Sequence, residues 1–214
     1  MKAIFSGHTH SDEFRVLRTA SDGLNDPVPL VPVYIMPSLP PYNPSTNPAV
    51  RLFDFDTGTA SVITDYHQHT LLLDASNAVK ADTWDVYSPR SLYGMPDLSM
   101  ASWESLAVRM DKDDDLFQLY YQAFTGFPAV AIPCSDDWEP SVYSPHGGGG
   151  KCKTALLCPV LSARSDDDYH ACIMQRNSSS GWRHKSVSGQ IARMHYSLPF
   201  LQHHFQGLKP FVYN

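Results

Sequence analysis

The feature that most constrains this chain is a change of hydrophobic period close to residue 75. Before it, short apolar runs alternate with turn clusters, the pattern of a sheet with short connections. Ala3 to Phe5, Phe14 to Leu17, Val31 to Met36, Val50 to Phe55, Ala60 to Thr64 and Thr70 to Leu73 read as strands. One hairpin stands out: Arg51, Phe53 and Phe55 share a phase, Asp56-Thr57-Gly58-Thr59 supplies a turn, and Ser61-Val62-Ile63-Thr64 returns. Five prolines between Pro37 and Pro48 forbid regular structure there and predict an ordered surface loop. Beyond residue 75 the spacing becomes helical. Trp103, Leu106, Ala107 and Met110 follow an i, i+3, i+4, i+7 pattern behind Ser99 or Ser102. Leu116, Tyr120 and Phe124 do so behind Asp113 to Asp115 and ahead of Gly126. The expected class is α+β, strands first and helices after.

The 214 residues make one large domain or two small ones, long enough to bury a core. With 43% hydrophobic and 18% charged residues, the chain reads as globular and loop-rich. Its formal charge is -6 and its Lys and Arg are scattered singly, so a nucleic-acid partner is not expected. No window approaches the roughly 18 apolar residues of a membrane helix. Met1 to Phe5 is too short for a secretory signal, because Ser6, His8 and His10 come at once after it.

All four cysteines, Cys134, Cys152, Cys158 and Cys172, fall in one loop-rich segment. The spacing contains no C-x-x-C knuckle, which disfavours structural zinc and leaves disulfides or free thiols. Residues 141–150 end in four glycines without a following Gly-Lys-Ser/Thr, and read as a flexible insertion. The acidic run Asp111 to Asp115 lacks the Gly and distal Glu of a calcium loop, so helix capping and solvation are expected of it.

The residues richest in chemistry come first: Phe5-Ser6-Gly7-His8-Thr9-His10. A strand leading into Gly-His-x-His places two imidazoles on one side of extended backbone, where they can ligate neighbouring divalent ions. By itself the pair is weak evidence, and a surface pair of histidines is the commoner reading of such a motif.

The context extends it. Gly7-His8-Thr9-His10-Ser11-Asp12-Glu13-Phe14 resembles the last metal-binding motif of the calcineurin-like metallophosphoesterases, in the G-H-T-H-x-D-E-F form of the acid sphingomyelinase branch. Similar segments continue in order. Pro37-Ser38, Tyr42, Asn47-Pro48 and Arg51-Leu52-Phe53-Asp54-Phe55-Asp56 come next, with Ala49-Val50 where Gly and Tyr are usual. Tyr93-Gly94-Met95-Pro96, Trp103, Arg109-Met110 and Leu116-Phe117-Gln118 succeed them, and then Cys152-Lys153 through Cys158, Leu161-Ser162-Ala163-Arg164 and Cys172.

The resemblance implies that His8 and His10 each bind one metal of a dizinc centre, as neutral imidazoles held by outer-shell acceptors. In the family such a centre activates a water for in-line attack on a phosphodiester. The resemblance also implies that Tyr42 lies near the substrate cleft, and that Cys134 pairs with Cys152 and Cys158 with Cys172. It divides the chain into a C-terminal part of a metallophosphoesterase β-sandwich (1–74), a mainly helical, disulfide-bearing subdomain (75–176) and an unassigned tail (177–214). Substrates expected from it are sphingomyelin, cleaved to ceramide and phosphocholine, or a nucleotide or polyphosphate. It also implies a secreted, lysosomal or vacuolar location, and contact with a membrane surface in a longer protein. Asn177-Ser178-Ser179 is one possible glycosylation site.

The family's remaining ligands lie in motifs that would precede Met1: Asp-x-His, Gly-Asp, Gly-Asn-His and a further His. Asp65-Tyr66-His67 and Asp168-Tyr169-His170 share the first spacing but fall in a returning strand and between cysteines, so structural roles are expected for them. Met1 sits inside the strand that leads to the histidines, an unusual place for a domain boundary. The expectation is therefore a truncated phosphodiesterase lacking the N-terminal half of its catalytic domain. The alternative is a catalytically inactive binding or structural module.

Overall fold

The computed structural model describes residues 3–19, 28–40, 46–58, 62–127, 134, 152–162 and 164–178. Strand β1 (Ile4–Ser6) runs parallel to β3 (Pro29–Ile35), which pairs antiparallel with β2 (Glu13–Arg18) on its other side. A second sheet of three antiparallel strands is formed by β4 (Ala49–Asp56), β5 (Val62–Leu71) and β6 (Trp84–Tyr87), in that spatial order. Pro29 opens β3, and Pro32 precedes the Val33–Ile35 stretch that β1 covers, so neither ring interrupts the parallel ladder.

The helices are α1 (Leu73–Val79), α2 (Pro89–Tyr93), α3 (Met100–Lys112), α4 (Asp114–Phe124), α5 (Cys152–Leu161) and α6 (Asp166–Ser178). Ser99 caps α3 by accepting from the Ser102 amide. Asp113 ends α3 and caps α4, its carboxylate accepting from Leu116 N at 3.1 Å. The acidic run is thus a helix junction. Asp111 also meets Arg176 at 2.8 Å and Asp114 meets Lys153 at 2.6 Å.

Two differences from the sequence-based expectation have physical causes. The runs 60–64 and 70–73 are not separate strands: β5 crosses the polar stretch between them, because Asp65, His67 and His69 occupy its outer face while Tyr66, Gln68 and Thr70 are buried. Strand β6 lies beyond the change of period, and its four residues are too few to register as an alternation.

The sheets face one another through rings. Register places Phe5, Tyr34 and Phe14 in one row across the first sheet. Phe53 and Tyr66 of the second sheet approach Tyr34 at 5.6 and 5.9 Å. Trp103, fully buried on α3, completes the layer at 4.4 Å from Phe14 and donates from Nε1 to the Tyr34 hydroxyl at 3.1 Å. One cluster of buried residues continues from these strands through α3, α4 and α5. A smaller one, Cys158, Tyr169, Cys172 and Ile173, joins α5 to α6.

Asn47 ties the strands to the helices. Its amide donates to the carbonyls of Gly126 and Phe127 at 3.0 and 2.9 Å, and its oxygen accepts from Leu73 N at 3.0 Å. Gly126 has φ +73, and a Cβ there would stand 3.2 Å from Asn47 N, so only glycine closes this junction without strain. The disulfides are Cys134–Cys152 and Cys158–Cys172, with Cα separations of 5.4 and 5.7 Å. These are the pairs implied by the family resemblance.

Candidate functional site

The histidine pair occupies the turn that leaves the carboxyl end of β1, the end at which parallel strands present ligand sites. Ser6 O accepts from Met36 N at 2.9 Å, which holds the last residue of β1 in register. Gly7 then opens the turn. An added Cβ would meet nothing within 4 Å there, so crowding does not explain the glycine.

His8 and His10 both have positive φ, 85° and 61°. Left-handed backbone is uncommon for residues with a Cβ, although histidine is among the more tolerant, and two such residues separated by one other mark a turn held by its surroundings. His8 is exposed and His10 half-buried. Ser11 closes the turn by donating to Thr9 O at 3.3 Å.

Directly after the turn the chain buries a polar run. Ser11, Asp12 and Glu13 are all at or below 9% exposure, at the very start of β2. Asp12 is the most elaborately held. Arg51 Nη2 on β4 pairs with its Oδ1, and the Tyr87 hydroxyl on β6 donates to its Oδ2. Arg51 in turn donates from Nε to Gln68 Oε1 on β5 at 2.8 Å, and its guanidinium lies 4.1 Å from the Tyr66 ring centroid. Gln68 completes the chain by donating to Val50 O at 3.2 Å. Every strand of the second sheet thus contributes to holding one carboxylate beside the histidine turn.

Burial sets the electrostatics. On its own it would make the Arg51 guanidinium easier to deprotonate, but the Asp12 carboxylate, with Tyr66 and Tyr87 behind it, outweighs that and fixes its charge. The Tyr87 phenol is pushed well above its ordinary range, first by burial and then by Asp12, so it stays a hydrogen-bond donor. Tyr66 is raised by burial as well, against the opposing pull of Arg51.

As a metal site the described residues are incomplete. Two imidazoles suit zinc, but a tetrahedral centre needs four donors, and no group of three or more His, Cys, Asp or Glu able to hold an ion occurs among the described residues. They do not by themselves fit the group. The two look-alike motifs are occupied elsewhere. On β5 the Asp65 carboxylate accepts from Tyr66 N at 2.9 Å, Tyr66 is buried under Arg51, and His67 faces Asp54 at 3.0 Å. On α6 Asp168 takes both arms of Arg164, at 2.5 and 2.6 Å. Tyr42, the glycine-rich segment and the tail beyond residue 178 lie outside the described residues.

Sequence reasoning named the histidines and missed the network behind them. Its one visible signal was Arg51 in phase with Phe53 and Phe55, a cation on the inward face of a strand, where charges are rarely buried unless paired.

No protein-family profile matches the chain. Among curated proteins it is 31% identical over 167 residues to a sphingomyelin phosphodiesterase of Bos taurus, an alignment covering 76% of this chain and 24% of that protein. It is 32% identical over 161 residues to sphingomyelin phosphodiesterase A of Dictyostelium discoideum, covering 75% and 24%. A cyclic GMP-AMP phosphodiesterase of Rattus norvegicus is 28% identical over 165 residues, covering 74% and 33%. The chain spans about a quarter of the length of the first two relatives.

Proposed function

Because the chain is acid sphingomyelinase-like over about three quarters of its length, we propose that it is a portion of a phosphoric diester hydrolase and carries the last histidine pair of a metal centre. The observation that carries this reading is the Gly7–Phe14 turn: its histidines sit in left-handed backbone at the carboxyl end of a parallel strand, anchored by a buried carboxylate two residues on.

In this reading His8 and His10 are ligands to zinc, bound as neutral imidazoles. The other ligands, the attacking water and the general acid come from outside the described residues. The strands belong to a metallophosphoesterase β-sandwich, to which residues 1–74 and β6 (Trp84–Tyr87) contribute, with the rest of 75–176 as a helical subdomain. Sphingomyelin is the first substrate to test and a nucleotide phosphodiester the second, in line with the names of the relatives. Two disulfides suit an oxidising compartment, so a secreted, lysosomal or vacuolar location belongs to the same proposal.

The 214-residue chain alone is expected to bind zinc weakly and to turn over no phosphodiester; robust turnover by it would overturn the proposal. The decisive test grafts the chain in place of the matching segment of the Bos taurus enzyme. The graft should be active, and His8→Ala or His10→Ala should each lower its activity at least about 100-fold, since even outer-shell losses cost about 10- to 100-fold in such sites. Full activity in both variants would remove the histidines from the site. A folded but inactive graft would favour a non-catalytic binding or structural module.

A further inference from the structure

We infer that Asp12, Arg51 and Tyr87 act as a latch that holds the His8–His10 turn against the second sheet, which makes Arg51 and Tyr87 positioning residues for the histidine pair.

The turn has a conformation to be held. Two left-handed residues with side chains, His8 at φ 85° and His10 at φ 61°, relax toward extended or helical backbone unless their neighbours forbid it. Inside the turn, the Ser11 to Thr9 contact at 3.3 Å is long for an O–H donor and holds little. On the upstream side β1 is three residues long. A firm restraint lies downstream, at Asp12.

Both oxygens of that carboxylate are taken, by groups that cannot readily move. The Arg51 side chain is only 1% exposed, and is fixed by Gln68 at 2.8 Å and by the Tyr66 face at 4.1 Å. Tyr87 is buried at the head of α2. The partners lie 39 and 75 residues from Asp12 in sequence, so the latch closes only when the second sheet has assembled. Two residues of chain reach at most about 7 Å, so fixing Asp12 confines His10 to a small volume and sets the direction from which the turn returns. A charge-assisted pair buried in this way is geometrically demanding: Lys keeps the charge but loses the fork that reaches Asp12 and Gln68 together.

The latch concerns the shape of the turn and is independent of any bound ion; only its consequence for catalysis rests on the proposed function. It is therefore tested in the metal-free 214-residue chain. Tyr87→Phe removes one hydroxyl, and Arg51→Lys removes the fork. Amide hydrogen exchange is measured at residues 7–12 and on α3 (Met100–Lys112), together with the imidazole resonances of His8 and His10. Exchange in the turn should rise about tenfold in Tyr87→Phe and further in Arg51→Lys, the scale of one lost buried hydrogen bond, and the imidazole signals should shift toward solvent-averaged positions. Exchange on α3 should change much less. If turn and helix change in proportion in the folded variants, with unmoved imidazole signals, the network is only a tie between sheets and the inference is overturned. Should Arg51→Lys fail to fold, Tyr87→Phe decides alone. Failure here leaves the grafting experiment untouched, so the two ideas fail separately.

Discussion

Asp97 shows how a single exposed side chain can carry a measurable pH signature. The Ser102 hydroxyl, then the Ser99 hydroxyl and amide, hold its carboxyl down from the ordinary 3.8 to about 2. The carboxylate form is therefore favoured by folding. Its contribution is complete above the ordinary value and disappears as pH falls from 3.8 toward about 2. Solvent screening keeps it small, a few tenths of a kcal/mol. Comparing thermal midpoints of the wild type and Asp97→Asn should give a difference that is constant above pH 3.8 and shrinks below it. A difference that grows on acidification would contradict the assignment. Trp103 illustrates the opposite regime, a fully buried side chain with no charge of its own. Its indole donates to Tyr34, whose phenol is pushed up to about 12, chiefly by burial with the Trp103 hydrogen bond pulling the other way.

At the scale of elements, α3 and α4 needed only local rules: a serine cap, an aspartate that ends one helix and starts the next, and an apolar stripe at helical spacing. Helix α5 obeys none of them. Seven of its ten residues are buried, so apolar side chains run round it without a stripe, and Pro159 sits in its last turn. It stands because it packs on β2 and α3 and because Cys152 and Cys158 are both bonded. Helix α6 is held to it by the small cluster around Cys158–Cys172. Closing a loop of that length contributes about 3 kcal/mol by chain entropy. Replacing both Cys158 and Cys172 with alanine should cost about that much in urea denaturation, and amides of α6 should exchange faster than those of α3. Equal exchange in the two helices would mean that packing alone secures α6.

For the molecule as a whole, the tyrosines report the integrity of the core. Tyr66, Tyr87, Tyr93 and Tyr120 are raised well above the ordinary 10.0, in every case first by burial. Each is neutral when folded and ionises more readily when unfolded. Stability is therefore fully present below pH 10 and falls as pH rises through and beyond that value. Tyrosinate absorbance should show these phenols appearing late and together with loss of the folded circular-dichroism signal. Early, gradual ionisation of all eleven tyrosines would mean that the core is open to solvent.

What could be read without coordinates were the features carried by neighbours in sequence. The strand period, the caps of α3 and α4, the α+β order and the Gly7–Phe14 motif each depend on residues within a few positions of one another. The partners of Asp12 could not be read, since Arg51 and Tyr87 are brought to it only by the pairing of β4, β5 and β6 and by the facing of two sheets. The same reason hid α5, whose helical state is a matter of tertiary packing rather than of pattern. The sequence by itself determined the class of the fold and the candidate histidines. The tertiary structure alone decided what holds those histidines in place, because a buried charge can be satisfied only by whichever distant groups the packed chain delivers to it.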